Sequence, residues 1–221
     1  MRKIGLAASL CLLAAAPAWA DSPPVLFPSH DAAVTYRVEG RTPPGAAPGL
    51  PPGMANVRQF SVAWNAELQR LRWGSPGMPG YAIIDYRTHH MMMVETAQRM
   101  VMDVPFNTVM KRNAIQPGPL KLPADVTVTR EGSDTVAGQS CTVWHMSNPR
   151  GAALACITAD GIPLRIQNLG AGANGRPTNE LEAVSVDRAP QPEALFMVPP
   201  GYRQLDLSHM GGPPGSPPPR R

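Results

Sequence analysis

The sequence predicts a mainly β protein with one or two short helices: a strongly curved, antiparallel half-barrel of about eleven strands. Three observations predict it. Short runs of alternating apolar and polar residues recur along the chain, bounded by Gly, Pro, Asn or Asp. Most connections between them are too short for a helical crossover, so neighbouring strands run antiparallel. A sheet of that many strands must also curl or split, and a full β-sandwich is the alternative.

The chain of 221 residues opens with Arg2 and Lys3, the apolar run Ile4 to Ala16, and then Ala18-Trp19-Ala20. Charged, apolar and small residues in that order read as a Sec signal peptide over 1–20, cut after Ala20. The apolar run is too short to span a bilayer. Cys11 lies inside it and leaves with it. No later apolar run is long enough to cross a membrane, so the expected location is a periplasm or the cell exterior. Of the formal charge of +4, Arg2 and Lys3 supply two, which leaves +2 on the mature chain. Its basic residues are spread out, which gives no footprint for nucleic acid.

Residues 21–31 are proline-rich and read as a flexible lead-in to a single β domain over 32–206. Within 33–39, Val34, Tyr36 and Val38 alternate with Thr35, Arg37 and Glu39, which makes a first strand. Residues 41–54 hold too many prolines for helix or central strand and read as a surface loop. Phe60, Val62 and Trp64 then alternate with polar or small neighbours. Asn65 marks a turn, and Leu71 and Trp73 resume the alternation. Strands follow at 81–87, 91–94 and 99–104 in meander order. Residues 106–114, between Pro105 and Pro117, are the best helix candidate. Pro117-Gly118-Pro119 separates two halves of one sheet.

The second half opens with Val126 and Val128, alternating with Thr127 and Thr129. Cys141 to Ile157 is a hairpin around Ser147-Asn148-Pro149-Arg150, and Asp160-Gly161 turns into a strand from Ile162 to Leu169. Glu180 to Val186 is the last long strand. Residues 192–202 read as a short turn or helix carrying Leu195 and Phe196, followed by a proline stop. The segment 207–221 is a proline-rich tail, expected to be disordered. With the hairpin turn centred on the Asn148–Pro149 bond, Cys141 faces Cys156 across the ladder, close enough to bridge. An even cysteine pair in an exported chain favours a disulfide, worth about 3 kcal/mol for a loop of this size.

Three stretches carry a resemblance. The first is Ile84-Asp85-Tyr86 leading into Met91-Met92-Met93-Val94 and Met100-Val101-Met102-Asp103. The second is Val136-Ala137-Gly138 before Cys141-Thr142-Val143-Trp144, answered by Cys156-Ile157-Thr158 and Asp160-Gly161-Ile162-Pro163-Leu164. The third is Leu195-Phe196 before Pro199-Pro200-Gly201-Tyr202. Together they span roughly residues 33–204. In order and spacing they resemble an uncharacterised family of exported bacterial proteins with the half-barrel fold of outer-membrane lipoprotein carriers (LolA/LolB-like). The resemblance implies that fold and an exported location. In the carriers the apolar concavity holds acyl chains, and a shared fold leaves function open.

The richest chemical cluster is His89-His90-Met91-Met92-Met93 with Met100 and Met102. Thioether and imidazole ligands suit Cu(I), with His89, Met91, Met93 and Met102 as the ligand set. The same methionines equally suit a soft apolar sheet face. No GxSxG, HExxH or Gly-rich phosphate motif is present, and no catalytic residue or cofactor is assigned. The expected function is non-catalytic binding or carriage of an apolar or acyl ligand on the concave face. Its expected lining is Phe60, Val62, Trp64, Leu71, Trp73, Met91, Met93, Met100 and Met102. Copper handling is one alternative. The other is a cell-envelope protein that engages a protein partner and has no pocket.

Overall fold

A computed structural model describes residues 22–40, 58–105, 122, 124–149, 151–169 and 177–206. The signal segment 1–20, the loop 41–54, the helix expected at 106–114 and the tail 207–221 fall outside the described residues, wholly or almost wholly.

The described strands are β1 (Ala32–Gly40), β2 (Gln59–Asn65), β3 (Arg70–Gly74), β4 (Gly80–Asp85), β5 (His90–Glu95), β6 (Met100–Pro105), β7 (Thr127–Val136), β8 (Gln139–Asn148), β9 (Gly151–Ile157), β10 (Pro163–Leu169), β11 (Pro177–Asp187) and β12 (Arg203–Asp206). They form one open, curved twelve-stranded sheet in the order β12-β6-β5-β4-β3-β2-β1-β11-β10-β9-β8-β7. This is the expected half-barrel, with one strand more than the alternation indicated. The extra strand, β12, follows the proline stop and runs parallel to β6, with Arg203 beside Met100. The short helical turn expected around Leu195 and Phe196 is a 3-10 turn over Glu193–Phe196.

Two antiparallel meanders, β1–β6 and β7–β11, meet where β1 pairs with β11. Val34 lies opposite Val62 on one side and Val186 on the other. The first meander has a ten-residue rhythm: β3, β4, β5 and β6 begin at positions 70, 80, 90 and 100. Its β2–β3, β4–β5 and β5–β6 turns end in left-handed residues, Gln69, His89 and Arg99, at φ of 51°, 58° and 52°. Side chains at the strand ends hold the turns. Asn65 Oδ1 accepts from the Leu68 N–H, Asp85 Oδ1 from those of Arg87 and Thr88, and Glu95 Oε1 from that of Ala97. These are polar side chains taking up backbone donors that a tight turn leaves unpaired.

The β8–β9 hairpin corrects the expected register. Its closing pair is Asn148 and Gly151, so Val143, not Cys141, lies opposite Cys156. The expected register would have put Pro149 second in the turn, where its ring disfavours the residue before it. The observed turn places Pro149 directly after the closing residue, where its fixed φ is an asset. The disulfide forms nonetheless, diagonally, between buried Cys141 and Cys156 with Cα atoms 5.4 Å apart.

The lead-in, expected to be flexible, docks on the sheet at particular residues. Pro28 is fully buried, and the Ser29 N–H donates to the Asp160 carbonyl at 2.9 Å. Phe27 joins the largest core cluster, with Tyr36, Trp64 and Leu164. Gly161 makes this approach possible, because a Cβ there would lie 2.6 Å from the Phe27 carbonyl oxygen.

Candidate functional site

The register lays apolar residues in two rows across one face of the sheet. The first row runs Val34, Val62, Trp73, Ala82, Met93, Met102 from β1 to β6. The second runs Ala32, Trp64, Leu71, Ile84, Met91 from β1 to β5. Phe60 extends the face beside Tyr36, their ring centroids 5.3 Å apart, and Met100 lies opposite Glu95 at the β6 end. All nine expected lining residues therefore share this face, because strand residues two apart point the same way. Val62 and Trp64 are buried, while Phe60, Leu71, Trp73, Met91, Met93, Met100 and Met102 are half-buried.

Ala32, Val34, Ala82 and Ile84 belong to these rows but were not among the expected lining residues. The signal was ambiguous for β4, where Tyr81 and Ile83 are as apolar as Ala82 and Ile84. Both phases are apolar because β4 contributes to the rows on one face and to a second apolar cluster on the other. On the opposite face Ile83, Val94 and Val101 pack with Val198 and Tyr202, which follow the 3-10 turn. Arg70 anchors that segment, donating from Nη1 to the Phe196 carbonyl at 3.1 Å, and Phe196 itself is fully buried.

Past β1 the same opposite face is polar. Arg37 pairs with Glu39 and Glu182, and Arg165 with Glu182, Glu180 and Asp134. The two apolar rows hold no charged residue; Glu95, opposite Met100, lies on their face at the end of β5.

At the end of the sheet that carries the β2–β3 and β4–β5 turns, the lead-in lies across the apolar side. The Phe27 ring meets the edge of Tyr86 at 5.1 Å, and Leu26 packs with Trp144, Ala155 and Ile157. Burial keeps both tyrosines of this region neutral: it pushes the Tyr86 phenol up to about 12 and the Tyr36 phenol higher still. Tyr36 Oη reaches beyond β11 to donate to the Pro163 carbonyl at 2.7 Å, so the buried hydroxyl is satisfied.

Of the four candidate copper ligands, three lie on one face of the sheet. Met93 is opposite Met102, and Met91 shares their face, but His89 is an exposed turn residue two positions before Met91. His90 points to the other face, its Nδ1 2.7 Å from Asp103 Oδ1. Among the described residues no group of three or more His, Cys, Asp or Glu could hold a metal ion. No helix among them is long and apolar enough to cross a membrane.

No family model matches the chain, and no curated protein matches it. Solved structures do. An uncharacterized conserved protein from Thermus thermophilus matches 80% of this chain and 91% of its own at 16% identity, with a TM-score of 0.51. MucB matches 79% of this chain at 12% identity and a TM-score of 0.51, and the chain spans 59% of MucB's length. The LolA superfamily protein NE2245 from Nitrosomonas europaea also matches, at 8% identity, 78% of this chain, 92% of its own and a TM-score of 0.33. At such identities the likeness is one of architecture, and the chain has the open, curved half-barrel fold of the Thermus protein and MucB.

Proposed function

We propose that this is an exported, non-catalytic binding or carrier protein that takes an apolar or acyl ligand on the apolar face of β1–β6. The observation that carries this reading is the pair of rows from Val34 to Met102 and from Ala32 to Met91, uninterrupted by charge and half-buried toward β6. Methionine and tryptophan suit such a surface. Thioether chains adapt to ligands of varied shape, and indole rings present broad apolar area. Hydrophobic burial at about 25 cal/mol per Å² makes a long acyl chain a strong candidate, because each methylene adds to affinity without needing a directional partner. Export by a Sec signal cleaved after Ala20 would place the protein where acyl lipids pass between membranes.

Native mass spectrometry of gently purified protein tests the reading. The expected spectrum contains adducts whose masses match fatty acids or lipids and which leave on activation. Protein without adducts that also fails to quench its tryptophan fluorescence on addition of cis-parinaric acid would overturn it.

A further inference from the structure

On the opposite face of the same strands, one arginine lacks the carboxylate partner that its neighbours have among the described residues. Arg37 on β1 and Arg70 on β3 each meet a carboxylate. Arg72, between Ala63 on β2 and Ile83 on β4, has its Nε buried with no hydrogen-bond partner, and its guanidinium stacks 3.9 Å from the centre of the Tyr81 ring. Buried donors are nearly always paired, so an orphan on a guanidinium calls for an explanation.

Arg72 lies in a groove of about 580 Å³ between the β3–β4 turn and the 3-10 segment. No acidic residue is among its described lining. Ser61, Ser75 and Thr96 contribute hydroxyls, and two of those are spent on carbonyls: Ser75 donates to Gln59 and Thr96 to Pro79. Ala33, Ala63, Met78 and Leu195 supply apolar wall and Gln191 a further polar side chain, with Leu195 37% exposed. A second groove of about 550 Å³ makes the contrast. It holds Arg188 together with Asp31 and Glu67, and Arg188 is already bound to Asp160. Of these two grooves, the one at Arg72 has, among the described residues, a cation with no carboxylate partner, a partly apolar wall and no acid in its lining.

We infer that this groove binds a small carboxylate that carries a short aliphatic group. The planar guanidinium, stacked over Tyr81, offers the edge formed by its two Nη groups to a planar carboxylate as a two-pronged donor. The aliphatic group lies against Met78 and Leu195. The groove is of the size that ordinarily encloses a small molecule. Apart from Val62, which belongs to both linings, this site shares no residue with the apolar rows, and it stands whether or not those rows carry lipid.

The probes are N-acetyl-leucine, its uncharged analogue N-acetyl-leucinamide, and inorganic phosphate, each titrated into the folded protein and followed by 1H–15N NMR. N-acetyl-leucine is expected to give saturable shifts at the Arg72 Nε–H and at the amides of Ser61, Gly74, Gly80 and Leu195. The amide is expected to bind at least about tenfold more weakly, and phosphate more weakly than the carboxylate. Arg72→Lys keeps the charge but loses the fork, and should also lose about tenfold. Equal binding of acid and amide, tighter binding of phosphate, or shifts that avoid these residues would overturn the assignment. The ligand comparisons use the unaltered protein and do not depend on a variant folding.

Discussion

Cys156 lies opposite Val143, and its disulfide partner Cys141 sits two residues away along β8, so the bond crosses the ladder on the diagonal. Cys141 itself faces Asp134 on β7, and Arg165, opposite Cys156 on β10, reaches over to pair with Asp134. The bridge thus ties β8 to β9 at a point where an ion pair also draws β7 and β10 together.

Replacing both cysteines with serine is expected to cost about 3 kcal/mol, the loop-closure value for a separation of 15 residues. Urea unfolding of the double variant should show a lower midpoint with an unchanged far-UV spectrum. An unchanged midpoint would mean that the covalent link adds nothing to the native state.

Asp85 should make the protein sensitive to acid. Burial alone would push its carboxyl up. The N–H groups of Thr88 and Arg87 and the guanidinium of Arg70 outweigh that and hold it below the ordinary carboxylate value. A lowered folded-state value means stability that is present above the unfolded value of about 4 and is lost as pH falls through the folded one. Thermal melts between pH 6 and pH 2 should fall more steeply for the native protein than for Asp85→Asn. At neutral pH, Asp85→Ala leaves Arg70 without its partner and should cost about 3 kcal/mol.

Tyr36 makes the opposite prediction at the alkaline end. Burial raises its phenol, so the stability it contributes is complete below the unfolded value of about 10 and drains away as pH rises beyond it. Tyr36→Phe should lose about 1 kcal/mol at neutral pH, for the bond to the Pro163 carbonyl. The variant should then unfold less readily than the native protein as pH is raised above about 10. Parallel alkaline titrations followed by circular dichroism check the crossing.

Met93→Glu places a charge in the middle of the first apolar row, between Ala82 and Met102. If that row holds the ligand, affinity for cis-parinaric acid should fall by about tenfold or more, since a buried charge is costly. Gln59→Glu, an exposed change on β2, should leave it unaltered. Equal affinity in both variants would move the ligand elsewhere.

Much of this molecule was readable along the chain. Alternation in 33–39, 59–64 and 71–73 identified strands and showed which residues share a face, because side-chain direction repeats every two residues and is a local property. Two cysteines in a chain whose opening residues read as an export signal pointed to their bond. What the alternation could not supply was register and distant pairing. A slip of two residues keeps every side chain on its original face, so the pattern around Cys141 and Cys156 is the same for the expected and observed hairpins. The β1–β11 junction, the parallel β12, the lead-in docked through Phe27 and Pro28, and the Arg72 groove all join segments remote in sequence. Only burial in the folded sheet chose them, because loop-closure entropy is offset by apolar contacts that exist nowhere but in the assembled core.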